Sequence, residues 1–350
     1  MVESIKHFPP NKERPFLPWV KHTGILGKLG DKIVLTMSII RSSQPVCKAC
    51  GQPIRGSYLS ALNATWHPEH FLCAACHKPI SDASYNMHEG LPYHPECFRR
   101  SIAPRCAYCG KPLMSEYLVD HWGTMFCKEH QGNYPTCAFC GRLVPPQQQE
   151  QSVSNGDGVR CPVCRSSAIE TIEQARPIFS RLVQWVNNQG LIYNNLPLSL
   201  ELVDRHKLAK LIMGRDGTAG THSQGITLST THTLNGKVVR TEVNGVAILE
   251  GMPAISFQGV TIHELGHVWL IVHDIKGLPP WAEEGFCELL THRYYTQLNT
   301  EESRYHAKGI ETNPNSIYGE GFRRVRAIVD AMGFQRFVEV MQRTKRLPSM

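Results

Sequence analysis

From residue 168 onward the apolar positions fall at helical intervals. Ile169, Ile172, Ala175, Ile178, Phe179, Leu182, Val183 and Val186 recur at spacings of three and four, the stripe of an amphipathic helix that Gly190 would end. Pro177 lies inside that stripe, where a kink is expected. Leu198 to Val203 alternates weakly, as a half-buried strand does. Gly225–Thr231 and Lys237–Val243 are strand-like and flank Asn235-Gly236, a strong hairpin signal. Val246–Leu249 predicts one more short strand. A densely apolar stretch from Pro253 to about His273 predicts a buried helix, and a second helix is expected from Pro280 to about Leu298. One or two more helices are expected across 319–343.

Before residue 168 the punctuation is cysteine. Twelve of the 13 cysteines lie between Cys47 and Cys164, and five pairs have two-residue spacing, which favours tetrahedral zinc over disulfides. Residues 1–45, with Pro9, Pro10, Pro15 and Pro18, read as a loosely ordered tail, and Met37 is a candidate alternative start. No apolar run approaches the roughly 20 residues that span a bilayer; Ile33–Ile40 comes nearest. No signal-peptide core opens the sequence. A reducing, cytoplasmic setting without membrane insertion is the expectation.

The first zinc block has Cys47-x2-Cys50, then sixteen residues, then His67-x2-His70-x2-Cys73-x2-Cys76, and after seventeen more His94-x2-Cys97. Together with Trp66-His67-Pro68-Glu69-His70-Phe71, this resembles a LIM domain spanning 46–101. The resemblance implies one site of Cys47, Cys50, His67 and His70 and a second of Cys73, Cys76, His94 and Cys97. Residues 104–166 repeat the theme as a LIM-like or zinc-ribbon-like double knuckle. Cys106, Cys109, Cys127 and His130 would form a third site, with His121 as a competing ligand. Cys137, Cys140, Cys161 and Cys164 would form a fourth. Pro145–Ser152 is low in complexity and reads as a loop within the last knuckle. Each knuckle is small, so bound metal is expected to carry much of its folding energy.

Residues 263–267 read His263-Glu264-Leu265-Gly266-His267. On a helix, positions four apart share a face, so both imidazoles reach one metal ion while Glu264 lies between them as a general base. Val260, Ile262, Val268, Trp269 and Leu270 surround the motif with apolar residues, as a buried active-site helix requires. The alternative is a core helix with two satisfied histidines. A catalytic zinc needs a third protein ligand and an open position for water.

Pro280-Trp281-Ala282-Glu283-Glu284-Gly285-Phe286 resembles the Trp-x-x-Glu-Gly segment of gluzincin peptidases, which implies Glu284 as that ligand, with Glu283 as its alternative. Glu288, one turn beyond Glu284, is either an orienting partner for a ligand histidine or a surface carboxylate. Cys287 reads as a small buried hydrophobe. Tyr318, flanked by Gly319, is a candidate oxyanion donor; a helix-entry packing role is the alternative. Helix, small sheet, metal helix and further helices is the element order of zincin metallopeptidases. The expected fold class is α+β: a knuckle array of small β-hairpins, then a mainly helical zincin domain over 168–350 with a small antiparallel sheet.

LIM domain, LIM-like knuckles and HExxH segment in this order resemble the ubiquitin-activated LIM-peptidase family of plant organ-size control (DA-one and related proteins). The resemblance rests on the zinc spacings, His263-Glu264-x-x-His267-x-Trp269-Leu270, Glu283-Glu284-Gly285-Phe286-Cys287 and Tyr318-Gly319-x-Gly321-Phe322-Arg323. It implies a latent zinc endopeptidase acting on selected protein substrates, with ubiquitin or a ubiquitin ligase as a partner. About five zincs are expected, four structural and one catalytic. The other classes are a non-catalytic LIM scaffold and a nucleic-acid binder. The formal charge is +7, falling to about +5 once twelve thiolates and five zincs are included. That mild balance, without a basic stripe through 46–166, argues against nucleic acid.

Overall fold

A computed structural model describes residues 33–34, 36–38, 44–82, 84–114, 116–151, 158–193, 196–213, 223–234 and 237–348. They fall into two units, one within Lys21–Tyr134 and one within Pro135–Met350.

The finger unit is made of short hairpins. Strands β1 (Ile33–Val34) and β2 (Thr36–Ser38), inside the stretch expected as a tail, add edges to hairpins that follow. Strand β2 pairs with β3 (Tyr58–Ala61), which pairs with β4 (Ala64–Trp66) through Leu59↔Trp66. Strand β1 pairs with β5 (Ser84–His88), which pairs with β6 (Leu91–Tyr93). Helix α1 (Pro95–Ser101) and the hairpin of β7 (Tyr117–Val119) and β8 (Met125–Cys127) complete the unit. The first two knuckles share a larger core than their size suggests. Phe71, Ile80, Tyr85 and Phe98 are fully buried together, because α1 folds Phe98 back onto the hairpins.

The helical unit opens with the fourth cysteine group and α2 (Pro162–Ser166), then β9 (Ala168–Ile169) and α3 (Ile172–Asn188). Thr171 and Gln174 form a reciprocal capping box that fixes the start of α3. Strand β10 (Ser199–Val203) and α4 (Arg205–Met213) lead to β11 (Gly225–Leu234) and β12 (Lys237–Leu249). The sheet order is β10-β12-β11, with β11 antiparallel and β10 parallel to β12. The expected strands 237–243 and 246–249 are one strand with a register shift: Leu228 faces Gly245, and Ser229 faces Val243. Gly245 has φ +147°, and a Cβ there would lie 2.4 Å from the Ser199 carbonyl oxygen, so only glycine lets β10 close on the bulge. The Asn235-Gly236 turn lies outside the described residues.

Strand β13 (Met252–Pro253) pairs with β9 and runs into α5 (Ala254–Val272). Then come α6 (Pro280–Leu298), α7 (Glu301–Thr312), α8 (Gly319–Met332) and α9 (Phe334–Thr344). The segment 319–343 is two helices because Gly333, at φ +85°, breaks it. Helix α5 is buried on nearly all sides by the sheet, α3 and α6, which is why its sequence is apolar all round. Among the described residues no helix is long and apolar enough to cross a membrane.

Candidate metal centres

Four cysteine–histidine groups bring their ligand atoms together. They are Cys47, Cys50, His67 and His70; Cys73, Cys76, His94 and Cys97; Cys106, Cys109, Cys127 and His130; and Cys137, Cys140, Cys161 and Cys164, each with its donor atoms within 4.8 Å of one another. Each of the five C-x2-C turns closes with the same hydrogen bond, from the N–H of residue 51, 77, 110, 141 or 165 to the carbonyl of the first cysteine. That turn aims further N–H groups at the first sulfur. Burial would raise the Cys47 and Cys73 thiols, but N–H groups such as those of His67 and His94 outweigh it and hold them at about 5 and about 6. Such thiols are ready to bind metal as thiolates.

In the third group His130 is buried, with Tyr134 stacked on it at 4.7 Å, and among the described residues its Nε2 has no hydrogen-bond partner. A buried nitrogen without a partner fits a metal ligand. His121 stands outside the group, against Trp122 at 4.9 Å. The fourth group differs from the others in that all four of its cysteines are buried.

The pentapeptide sits mid-way along α5, with His263 and Glu264 buried. Helix α6 crosses close by and presents Glu283, Glu284, Cys287 and Glu288 to it. Oε2 of Glu284 is 3.0 Å from His263 Nε2 and 3.7 Å from His267 Nε2. Donors about 2 Å from one tetrahedral zinc lie about 3.3 Å apart. Both distances from Glu284 Oε2 suit donors to one zinc. Burial would raise the Glu284 carboxyl, but His267 and His263 outweigh it and hold it well below the usual carboxylate range. A charged carboxylate between two imidazoles is the donor set a divalent cation completes.

The other ring nitrogens are also engaged. His263 Nδ1 lies 3.3 Å from Glu288 Oε1, and His267 Nδ1 lies 3.3 Å from Glu283 Oε1. These contacts leave both Nε2 atoms facing Glu284. The Glu283 side chain is only 13% exposed and is a partner of His267 Nδ1. The Cys287 sulfur also lies within 4.8 Å of ring nitrogens of both histidines. Burial pushes its thiol up to about 12, so Glu284 is the better third donor.

Glu264 is held from the sheet. The Thr227 hydroxyl, on β11, lies 3.0 Å from Glu264 Oε2 and 3.0 Å from its carbonyl oxygen, and donates to Glu264. The sequence pattern marked β11 as a strand without marking Thr227. Tyr318 caps α8 with its ring centroid 6.4 Å from that of His263. Asn315 ties its loop down: Asn315 Oδ1 accepts from the N–H groups of Ile317 and Tyr318 at 2.8 and 3.0 Å. Close helix packing brings the parts together. A Cβ on Gly285 would lie 2.4 Å from Gly321 backbone atoms, so α6 and α8 meet at bare glycines.

The LIM domain family matches residues 47–93 and 76–134, and the DA1-like family, described as Protein DA1, matches residues 202–309. The second match contains Thr227, His263, Glu264, His267, Glu284 and Glu288. Protein DA1 of Arabidopsis thaliana is 24% identical, over 87% of this chain and 68% of the relative. Protein DA1-related 1 of Arabidopsis thaliana is 25% identical, over 89% and 67%. LIM domain-containing protein HDR3 of Oryza sativa subsp. japonica is 24% identical, over 87% and 74%.

Proposed function

We propose that this chain, which belongs to the DA1 family and carries LIM domains, is a zinc-dependent endopeptidase acting on protein substrates. The observation that carries the reading is the convergence of His263 Nε2, His267 Nε2 and Glu284 Oε2 at 3.0 and 3.7 Å on one helix pair, beside a held glutamate. When bound, zinc lowers the pKa of a water toward neutrality and polarises the scissile carbonyl.

The chain's own residues then have distinct tasks. His263, His267 and Glu284 hold the ion, and Glu288 and Glu283 fix the imidazoles through their Nδ1 atoms. Glu264 accepts a proton from the attacking water and later gives it to the leaving amine. The water oxygen thus ends on the carbonyl carbon and its proton on the nitrogen as the C–N bond breaks. Thr227 holds the Glu264 carboxylate in place during both transfers. Tyr318, anchored through Asn315, is the donor for the developing oxyanion. The finger unit supplies a surface for recognising protein partners.

Glu264→Gln keeps every metal ligand and removes the base. Mass-spectrometric mapping of new protein N-termini in cells expressing the full chain should find cleavage sites that vanish with Glu264→Gln. An identical set of termini from both chains contradicts the proposal.

A further inference from the structure

The fourth cysteine group lies between the two stretches that match known families, after residue 134 and before residue 202. Its spacing reads as one more recognition knuckle. Its contacts are those of a part built into the helical unit. Cys137, Cys140, Cys161 and Cys164 are all buried, with Cys140 and Cys161 sulfurs 3.6 Å apart. In contrast, Cys50 and Cys109 of the first and third groups are exposed.

Both halves of the knuckle are anchored to helices of this unit. On one side the Cys137–Gly141 turn meets α7: a Cβ on Gly141, at φ +73°, would lie 2.6 Å from the Tyr305 hydroxyl. The Tyr305 side chain of α7 thus packs directly on the backbone of the turn, where the positive φ favours glycine. On the other side the second pair of cysteines leads straight to the metal helix. Cys161 caps α2, and its sulfur accepts from the Cys164 N–H. Arg160, next to Cys161, donates to the Gly251 carbonyl and to Glu170 Oε1. Three residues after Cys164, the Ser167 carbonyl accepts from the Ala254 N–H at 2.8 Å. Ile169 accepts from Gly251 at 2.7 Å, and β9 pairs with β13 through Ile169↔Met252. Helix α5 has no side-chain cap of its own, since Pro253 precedes it. The strand leaving the knuckle supplies that start.

We infer that the Cys137–Cys140–Cys161–Cys164 site is a structural zinc of the helical unit, and that it positions the start of α5 so that His263 and His267 face Glu284. Four buried thiolates cannot stay together without a cation, since their repulsion in a low-dielectric interior is unscreened. Zinc at this site closes a loop whose ends press on α7 and on the first turn of α5. Losing it releases β9, and with it the segment that fixes where α5 begins. The site therefore links metal status in the knuckle to the geometry of the pentapeptide nine residues further along α5.

The test uses the full chain with two readouts, zinc count by native mass spectrometry and hydrogen–deuterium exchange across Ala254–Val272. Cys161→Ser/Cys164→Ser should lose two zincs, and exchange across α5 should speed by about tenfold or more. Cys106→Ser/Cys109→Ser, with as many thiols removed, should lose one zinc and keep wild-type exchange in α5. A fourth-group variant that loses one zinc and keeps α5 protected overturns the inference. Arg160→Gln retains all four thiols and guards against simple unfolding. It should keep the full zinc count and speed exchange at Gly251–Ser256; unchanged exchange there overturns the inference, even if the double cysteine variant unfolds. Cleavage is not measured in either arm. A wild type with no zinc at the pentapeptide would refute the peptidase reading, while the exchange data would still decide this one.

Discussion

His263 Nδ1 faces Glu288 Oε1 at 3.3 Å, so the ring that offers its Nε2 to Glu284 is turned by a carboxylate one helical turn along α6. One helix thus supplies both a ligand and the group that orients another ligand. The carboxylate fixes the tautomer and raises the basicity of the imidazole. Glu288→Ala should therefore weaken zinc at this site by roughly 10–100-fold while leaving the fold intact. Titration with a competing chelator measures it. Unchanged affinity would reduce Glu288 to a packing residue.

Thr227 acts on the base and not on the metal. Its hydroxyl lies within 3.0 Å of Glu264 Oε2, and valine has the same shape without the donor. Thr227→Val should lower kcat by about tenfold with KM and zinc count unchanged. Thr227→Ser should restore most of the rate. Steady-state kinetics on a cleaved peptide decides between them; a loss confined to KM would move Thr227 from positioning the base to binding substrate.

Gly285 sits where α6 touches α8, and a methyl group there would overlap Gly321 backbone atoms at 2.4 Å. Backbone cannot move aside as a side-chain tip can, so Gly285→Ala should destabilise the helical unit by about 3 kcal/mol or more. Chemical denaturation followed by tryptophan fluorescence reads the loss. A midpoint equal to wild type would mean that α6 and α8 are not so tightly crossed.

These tests depend on residues that differed in how plainly the sequence marked them. The metal ligands were legible because their chemistry needs fixed spacings: C-x2-C turns for the fingers and an i, i+4 pair on a helix. Helix α5 was legible because complete burial leaves an unbroken apolar run. Helix α7 was missed, although Thr300 and Ser303 form a capping box at its start. Its apolar stripe is narrow, and a cap without a broad apolar face does not by itself mark a helix. Strand β12 was read as two pieces, because Asn244-Gly245 reads as a break and is a bulge. Thr227 and Glu283 matter only through tertiary contacts, which no local pattern encodes. The role of the fourth cysteine group was hidden for the same reason: spacing names the ligands but not the helices that rest on them.

The central claim is a separate metal site at the pentapeptide, and counting zinc per chain tests it most directly. Native mass spectrometry should find about five zincs in the wild type and about four in His263→Ala/His267→Ala, since only the pentapeptide site loses ligands. About four in both chains would contradict the account: the fingers would be loaded, the site on α5 would not, and the chain would act as a LIM scaffold.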